Sequence, residues 1–191
     1  MTARNTDTKE EIVRIGTALI KSHGYNAFSY ADIAEQLQVR NAAIHYHFRG
    51  KEDLLSEIID QYIDLYHSLD KQLKAVGASA TVTLEKFIER YSCLVDANSI
   101  CIIGSIASDY NTLPVSVKEK VNQLVTLVLK LVEQTLTAGK KTGEFMFQET
   151  PKTQTLLLMT NLAAGVQLAR ITGKKDYDTI KKAIIRQLKG S

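Results

Sequence analysis

Asn41, His45, Tyr46 and His47 fall within seven residues, with Arg40 just before them and Lys51 just after. An amide, two imidazoles and a phenol so close together suit either metal ligation or contact with a polar polymer. His45 and His47 are two apart and so point to different faces of a helix, unlike the same-face i,i+4 pair of a metal site. No metal site is expected, and the residues are left for recognition. The other nucleophilic and acid–base groups are poorly arranged for catalysis. Ser92, Ser99, Ser105 and Ser108 lie near Asp96 and Asp109 in sequence, but no histidine is close. No glycine-rich phosphate loop or nucleophile elbow occurs. Cys93 and Cys101 make neither a disulfide framework nor a four-ligand zinc site. Neither thiol has a basic residue within two positions, so both are read as buried and structural rather than as redox sensors. The expectation is a protein that is not an enzyme and needs no cofactor.

The elements around the cluster follow from local signals. Asp7-Thr8-Lys9-Glu10 predicts a capped helix start, followed by Ile12, Ile15, Gly16 and Leu19 at helical spacing and by Gly24 as a stop. Ser29-Tyr30-Ala31-Asp32 opens a short second helix with Ile33, Ala34 and Leu37 inward, ending near Gln38. After a turn at 39–41, a third helix covers Ala42 to Phe48, anchored by Ile44 and Phe48. Gly50 stops it, and Lys51-Glu52-Asp53-Leu54 starts a long amphipathic helix toward Lys74. Val76-Gly77-Ala78-Ser79-Ala80 reads as a linker, followed by helices at about 81–96, 102–109, 114–140, 151–172 and 177–188. Pro114 and Thr150-Pro151 mark two of the starts. The second and third helices, braced by the first and fourth, form a helix-turn-helix unit. Ala42 and Ala43 let the third helix approach a surface closely.

Composition agrees with an all-α chain. The 191 residues include two prolines, ten glycines and no tryptophan, with 45% apolar and 24% charged residues. Turn signals are too few for a β-sandwich or barrel. No apolar run is long enough to cross a membrane, and the first residues lack a signal-peptide pattern, so a cytoplasmic location is expected. The net charge of +3 decides nothing. Up to Leu54, seven basic residues balance seven acidic ones, so any DNA contact there rests on placed residues rather than bulk potential.

The run from Phe28-Ser29-Tyr30-Ala31-Asp32-Ile33-Ala34 through Leu37-Gln38-Val39-Arg40-Asn41-Ala42-Ala43-Ile44-His45-Tyr46-His47-Phe48 to Lys51-Glu52-Asp53-Leu54 resembles the DNA-binding signature of the TetR family of bacterial regulators. The resemblance extends over residues 7–70; beyond it, only the helical layout and Cys101-Ile102-Ile103-Gly104 through Leu113-Pro114 match. It departs from the family at Gln38, where glycine is favoured, at Arg40, where serine or threonine caps the recognition helix, and at His45 and His47, where tyrosines are usual. Asn41 is expected to take over as cap and Arg40 to meet a phosphate. The resemblance implies that Ser29, Tyr30, His47 and Lys51 touch phosphates. It places Arg40, Asn41, Ala42, Ala43, His45 and Tyr46 at the groove.

The resemblance further implies a helix-turn-helix domain at 7–53, with its motif at about 28–47, and a helical effector-binding and dimerisation domain at 54–191. The expected partners are double-stranded DNA with a near-palindromic operator, a small-molecule effector, and a second copy of the chain. Tyr62, Tyr66, Tyr91, Tyr110, Met159 and Asn161 are candidates to line an effector cavity, against the plainer reading of ordinary core. The segment 150–172 is apolar nearly all round, which suits a dimer made by the last two helices, with Ala163, Ala164 and Gly165 admitting a partner helix. The function this implies is a repressor released from its operator by a small molecule. The alternative is an all-α ligand carrier or scaffold that never meets DNA.

Overall fold

The computed structural model describes residues 3–190, with side chains described from Thr8 onward. The described residues form helices joined by short turns, with no strand among them. The helices are α1 (Ala3–His23), α2 (Tyr30–Leu37), α3 (Asn41–His47), α4 (Lys51–Ala75), α5 (Ala80–Asp96), α6 (Ile102–Asp109), α7 (Val115–Thr142), α8 (Pro151–Thr172) and α9 (Lys174–Lys189). A 3-10 turn, Tyr110–Thr112, joins α6 to α7. The backbone of α1 is already helical four residues before Asp7, so the helix does not start at the predicted capping box. The side chain of Asp7 lies outside the described residues. The last helix starts at Lys174, directly after Gly173, rather than near 177.

Two compact units emerge. The first comprises residues 1–64 and 102–124, the second residues 65–101 and 125–191. In the first unit, α1, α2, α3, the start of α4, α6 and the start of α7 surround a core that includes Ile12, Ile20, Ile33, Ile44, Leu54, Ile58, Ile106 and Leu124, none of them accessible to solvent. Gly16 lets α1 and α4 meet closely, because a Cβ there would lie 2.9 Å from Leu54 Cδ2. Lys9 donates to Glu57 at 2.8 Å, and Lys120 pairs with Asp60.

The second unit holds the end of α4, α5, most of α7, α8 and α9. Phe87, Tyr91, Val128, Leu136, Phe145, Phe147, Leu162, Val166, Tyr177 and Leu188 fill it. Gly139 accommodates Phe145, whose ring would lie 2.1 Å from a Cβ at that position. Just beyond α7, Glu144 folds back to cap α5. Its carboxylate accepts from Thr81 N at 2.8 Å, Ala80 N at 3.3 Å and Thr142 Oγ1 at 2.9 Å. These bonds, the Thr81 backbone bond foremost, hold its pKa down at about 2. Thr150 caps α8 by accepting from Thr153 N at 3.1 Å, and Pro151 follows as the first helical residue.

One face of α8 is uncovered. Leu156, Leu157, Leu168 and Ile171 are 47%, 42%, 45% and 86% exposed, at spacings that place them along one side. Gly165 is not on that side. It packs against Tyr177 of α9 in the same chain, so the expected use of Gly165 for a partner helix gives way to an intrachain approach. Ala164 remains exposed and Ala163 half-buried.

Candidate nucleic-acid interface and cavity

The turn between α2 and α3 is tight because Gln38 takes the left-handed conformation, with φ 54 and ψ 41. That is the backbone state glycine serves most cheaply. The Gln38 N–H returns to the end of α2, and Val39 N donates to Ala34 O at 3.0 Å. Helix α3 then starts at Asn41 with Arg40 as its cap residue. This corrects the expectation that Asn41 caps the helix: Asn41 is already helical. Arg40 caps through its backbone carbonyl, which accepts from Ala43 N at 2.8 Å, and makes no side-chain cap bond.

Ile44 and Phe48 anchor α3 inward at 0% and 4% exposure. The opposite side carries exposed Asn41, Ala42, His45 and Tyr46, with Ala43 and His47 half-buried and Arg40 exposed just before them. Tyr46 is 75% exposed and stands edge-on to His47, with ring centroids 5.1 Å apart. His45 leans edge-on against Tyr30 at 4.9 Å, and its Nδ1 lies 3.2 Å from Arg49 O. The seven residues of α3 thus present amide, imidazole and phenol groups on a narrow rod, behind which the core is closed. Such a rod fits a major groove.

The four residues expected at phosphates differ in how free they are. His47 is half-buried beside Tyr46. Asp32 Oδ2 accepts from both Ser29 N at 2.6 Å and Ser29 Oγ at 2.9 Å, so the serine hydroxyl proton is committed to the cap of α2. Those two bonds, the backbone one first, lower the Asp32 pKa. Tyr30 is buried with no hydrogen-bond partner for its hydroxyl, and burial raises its pKa. Lys51 is the most engaged. Its ammonium donates to Tyr25 O and Phe28 O, both at 2.6 Å, and lies 4.2 Å from the Phe28 ring centroid and 4.8 Å from that of Tyr25. Burial lowers its pKa, with Asp109 and Asp32 pulling in the opposite direction. Lys51 therefore ties the turn before α2 to the start of α4.

Sequence reasoning missed a further contact at that turn. Asp109, at the end of α6, accepts from Asn26 N at 3.1 Å through Oδ2 and from Asn26 Nδ2 at 2.9 Å through Oδ1. The residues are 83 positions apart, so no local pattern signals the pair.

In the second unit, α4, α5 and α7 enclose a mainly apolar cavity of about 40 Å³, lined by Tyr66, Leu69, Leu73, Leu84, Phe87, Leu131 and Val132 with Asp70, Thr83 and Thr135. A groove of about 180 Å³ shares Asp70, Leu73, Thr83, Leu131 and Thr135 and continues to Lys74, Ala78 and Gln134. Of the six proposed lining residues, Tyr66 lines this cavity, with the Arg90 guanidinium 5.4 Å from its ring centroid. Tyr91 is buried beside Phe87, and Met159 is half-buried on α8. Asn161 is corrected: it is exposed, and its Nδ2 donates to Leu157 O of its own helix at 2.7 Å. Tyr62 and Tyr110 belong to the first unit, where Tyr110 donates to Asn122 Oδ1 at 3.4 Å. The lining on α4 follows a helical 3–4 spacing from Tyr66 to Leu73, a signal that scattered tyrosines obscured. Cys93 is exposed and Cys101 half-buried, which corrects the expectation of two buried thiols. Among the described residues, no helix is long and apolar enough to cross a membrane.

Residues 12–58 match the family described as "Bacterial regulatory proteins, tetR family". The HTH-type transcriptional repressor KstR2 of Rhodococcus jostii is 23% identical over 182 residues, spanning 95% of this chain and 89% of that protein. Among solved structures, a TetR transcriptional regulator from Legionella pneumophila is 29% identical with a TM-score of 0.82, covering 98% of this chain and all of that one. A TetR-family regulator from Agrobacterium tumefaciens superposes with a TM-score of 0.88 at 24% identity, over 96% of this chain and 98% of the other. The matched segment is the one that builds α2, the left-handed turn and the exposed face of α3, and the likeness in fold runs on to the last helix. Over residues 12–58 the chain thus matches the TetR family of bacterial regulatory proteins, and along its whole length it shares the fold of solved TetR-family regulators.

Proposed function

We propose that this regulator is a repressor that holds a near-palindromic operator as a homodimer and leaves it when a small molecule binds the second unit. The observation that carries the reading is α3: its buried Ile44 and Phe48 fix a short helix whose outer face offers exposed His45 and Tyr46. Arg40, Asn41, Ala42, Ala43, His45 and Tyr46 form the groove-facing set, and Ser29, His47 and Lys51 the phosphate side, while Tyr30, whose hydroxyl is buried, braces His45 from behind. The DNA-binding part is assigned to 7–53 and the effector and dimer functions to 54–191. The exposed apolar stripe of α8 supports dimerisation, since Leu168 and Ile171 in water favour a second copy as cover. Twofold symmetry then sets two recognition helices one DNA turn apart (~34–36 Å) or a multiple of it.

The cavity of about 40 Å³ has room for a water or two, not for an organic effector. A drug-sized ligand needs about 300 Å³ or more. Binding it requires α4, α5 and α7 to part, and that cost is what couples ligand to conformation. The effector must favour the parted form, and the operator the closed one.

The test is selection of genomic fragments with the purified protein, followed by mobility shifts of the recovered fragment at several salt concentrations. The reading expects a fragment with twofold symmetry, bound far more tightly than random duplex. Binding no stronger than to random duplex would favour the carrier or scaffold alternative.

A further inference from the structure

We infer that Asp109 is a positioning residue for DNA binding, clasping the turn between α1 and α2 to the end of α6. Both carboxylate oxygens are used, one on the Asn26 backbone and one on its side chain. The clasp is doubled from the same side: Asn26 Nδ2 lies 3.4 Å from Thr112 Oγ1, which itself donates to Asp109 O at 2.7 Å. Gly24, with φ +100, ends α1 there, and a Cβ on it would lie 3.7 Å from Asp109 Oδ2. The turn thus folds directly against the carboxylate. Asn26 stands three residues before Ser29, which caps α2, and the same stretch supplies Tyr25 O and Phe28 O to Lys51. Asp109 also draws on the Lys51 ammonium electrostatically.

The topology gives the clasp its importance. The chain re-enters this unit at Ile102, directly after the first stretch of the second unit ends at Cys101, and α6 carries it to Asp109. A shift of α6 along its axis pulls on Asn26 through two hydrogen bonds rather than through apolar side chains, which slide more easily. The α1–α2 turn sets where α2 begins, and α2 in turn sets the angle of α3. Asp109 stands at the end of α6 rather than on α3, and its role runs through the turn.

The inference rests on the DNA-binding reading for its consequence, and its test separates the two. Asp109→Ala, Asn26→Ala, the double variant and the milder Asp109→Asn are compared with the wild-type chain. Two readouts are taken: amide exchange at residues 24–30 in the free protein, and affinity for the fragment recovered by selection with wild-type protein. Asp109→Ala and Asn26→Ala are each expected to speed exchange at the turn and to weaken fragment binding by about five- to tenfold. The double variant is expected to lose no more than the worse single one, because both remove the same contact. The salt slope on random duplex is expected to stay unchanged, since no phosphate contact is lost. Unchanged exchange at 24–30 overturns the clasp, whether or not the protein binds DNA. Accelerated exchange with fragment affinity within twofold of wild type overturns the positioning role, as do losses that multiply in the double variant. If Asp109→Ala does not fold, Asp109→Asn, which keeps one acceptor, carries the same comparison.

Discussion

Replacing Lys51 by methionine removes the ammonium and keeps a stem of similar length against Tyr25 and Phe28. Two hydrogen bonds from a charged donor are lost, each worth about 1.5–3 kcal/mol. Two ring contacts go as well, at about 0.5–1 kcal/mol for a partly exposed cation. Against this stand the relief of the burial that lowers the lysine's pKa and the access of water to the freed carbonyls, since the site is only half-buried. The net loss expected is about 2 kcal/mol. With a urea dependence of about 2 kcal/mol per M, the unfolding midpoint falls by about 1 M at fixed protein concentration. Two of the three N–H donors are spent within the fold, leaving one for a phosphate. If that one is used, the salt slope of DNA binding drops by about one unit as well. A midpoint shift under about 0.3 M would refute the reasoning and return Lys51 to a purely DNA-directed role.

Tyr46→Ala is expected to weaken specific binding by about 1–3 kcal/mol and relax preference at particular base pairs, read by competition between single-base variants of the recovered fragment. Glu144→Gln tests the cap of α5. The carboxyl titrates at about 2 in the fold against 4.5 unperturbed, so its contribution is complete above 4.5 and disappears as pH falls toward 2. Discounted for its exposure to solvent, the variant is expected to lose about 1 kcal/mol at pH 7 and only a small fraction of that at pH 2, measured by denaturant unfolding at both. Gln38→Gly relieves the left-handed backbone at a cost in unfolded-state entropy, for a net gain of about 0.5–1 kcal/mol, read as a higher unfolding midpoint. Ile171→Glu places a carboxylate on the uncovered face of α8, and sedimentation is expected to show monomer where the wild-type chain shows dimer.

The sequence was most legible where a single residue decides the backbone. Ser29 with Asp32, Thr150 with Pro151 and the stop at Gly173 each act within one turn, and the helices they bound were readable from them. The start of α3 was misread because Arg40 caps without its side chain, leaving no residue-type signal. The outward face of α3 was legible from Ile44 and Phe48 alone. The clasp on Asn26 and the cap from Glu144 join residues 83 and 63–64 positions apart, and no periodicity records such a distance. The cavity lining was masked for another reason: leucine and threonine serve equally as core and as cavity wall, so only packing distinguishes them.

The first unit is assembled from two stretches of chain, 1–64 and 102–124, with Ile106, Val117 and Leu124 buried at 0–1% exposure in the second stretch. A chimera that grafts this DNA reader onto a foreign sensor by joining after the third or fourth helix discards those side chains and the Asp109 clasp with them. The grafted piece keeps its recognition surface but loses part of the floor beneath it. A swap that works must exchange two segments at once, or leave α6 and the start of α7 in place and replace what lies on either side. The same interruption bears on synthesis: the leading stretch leaves the ribosome well before residues 102–124 exist to complete its core, so its final packing waits for the chain to return.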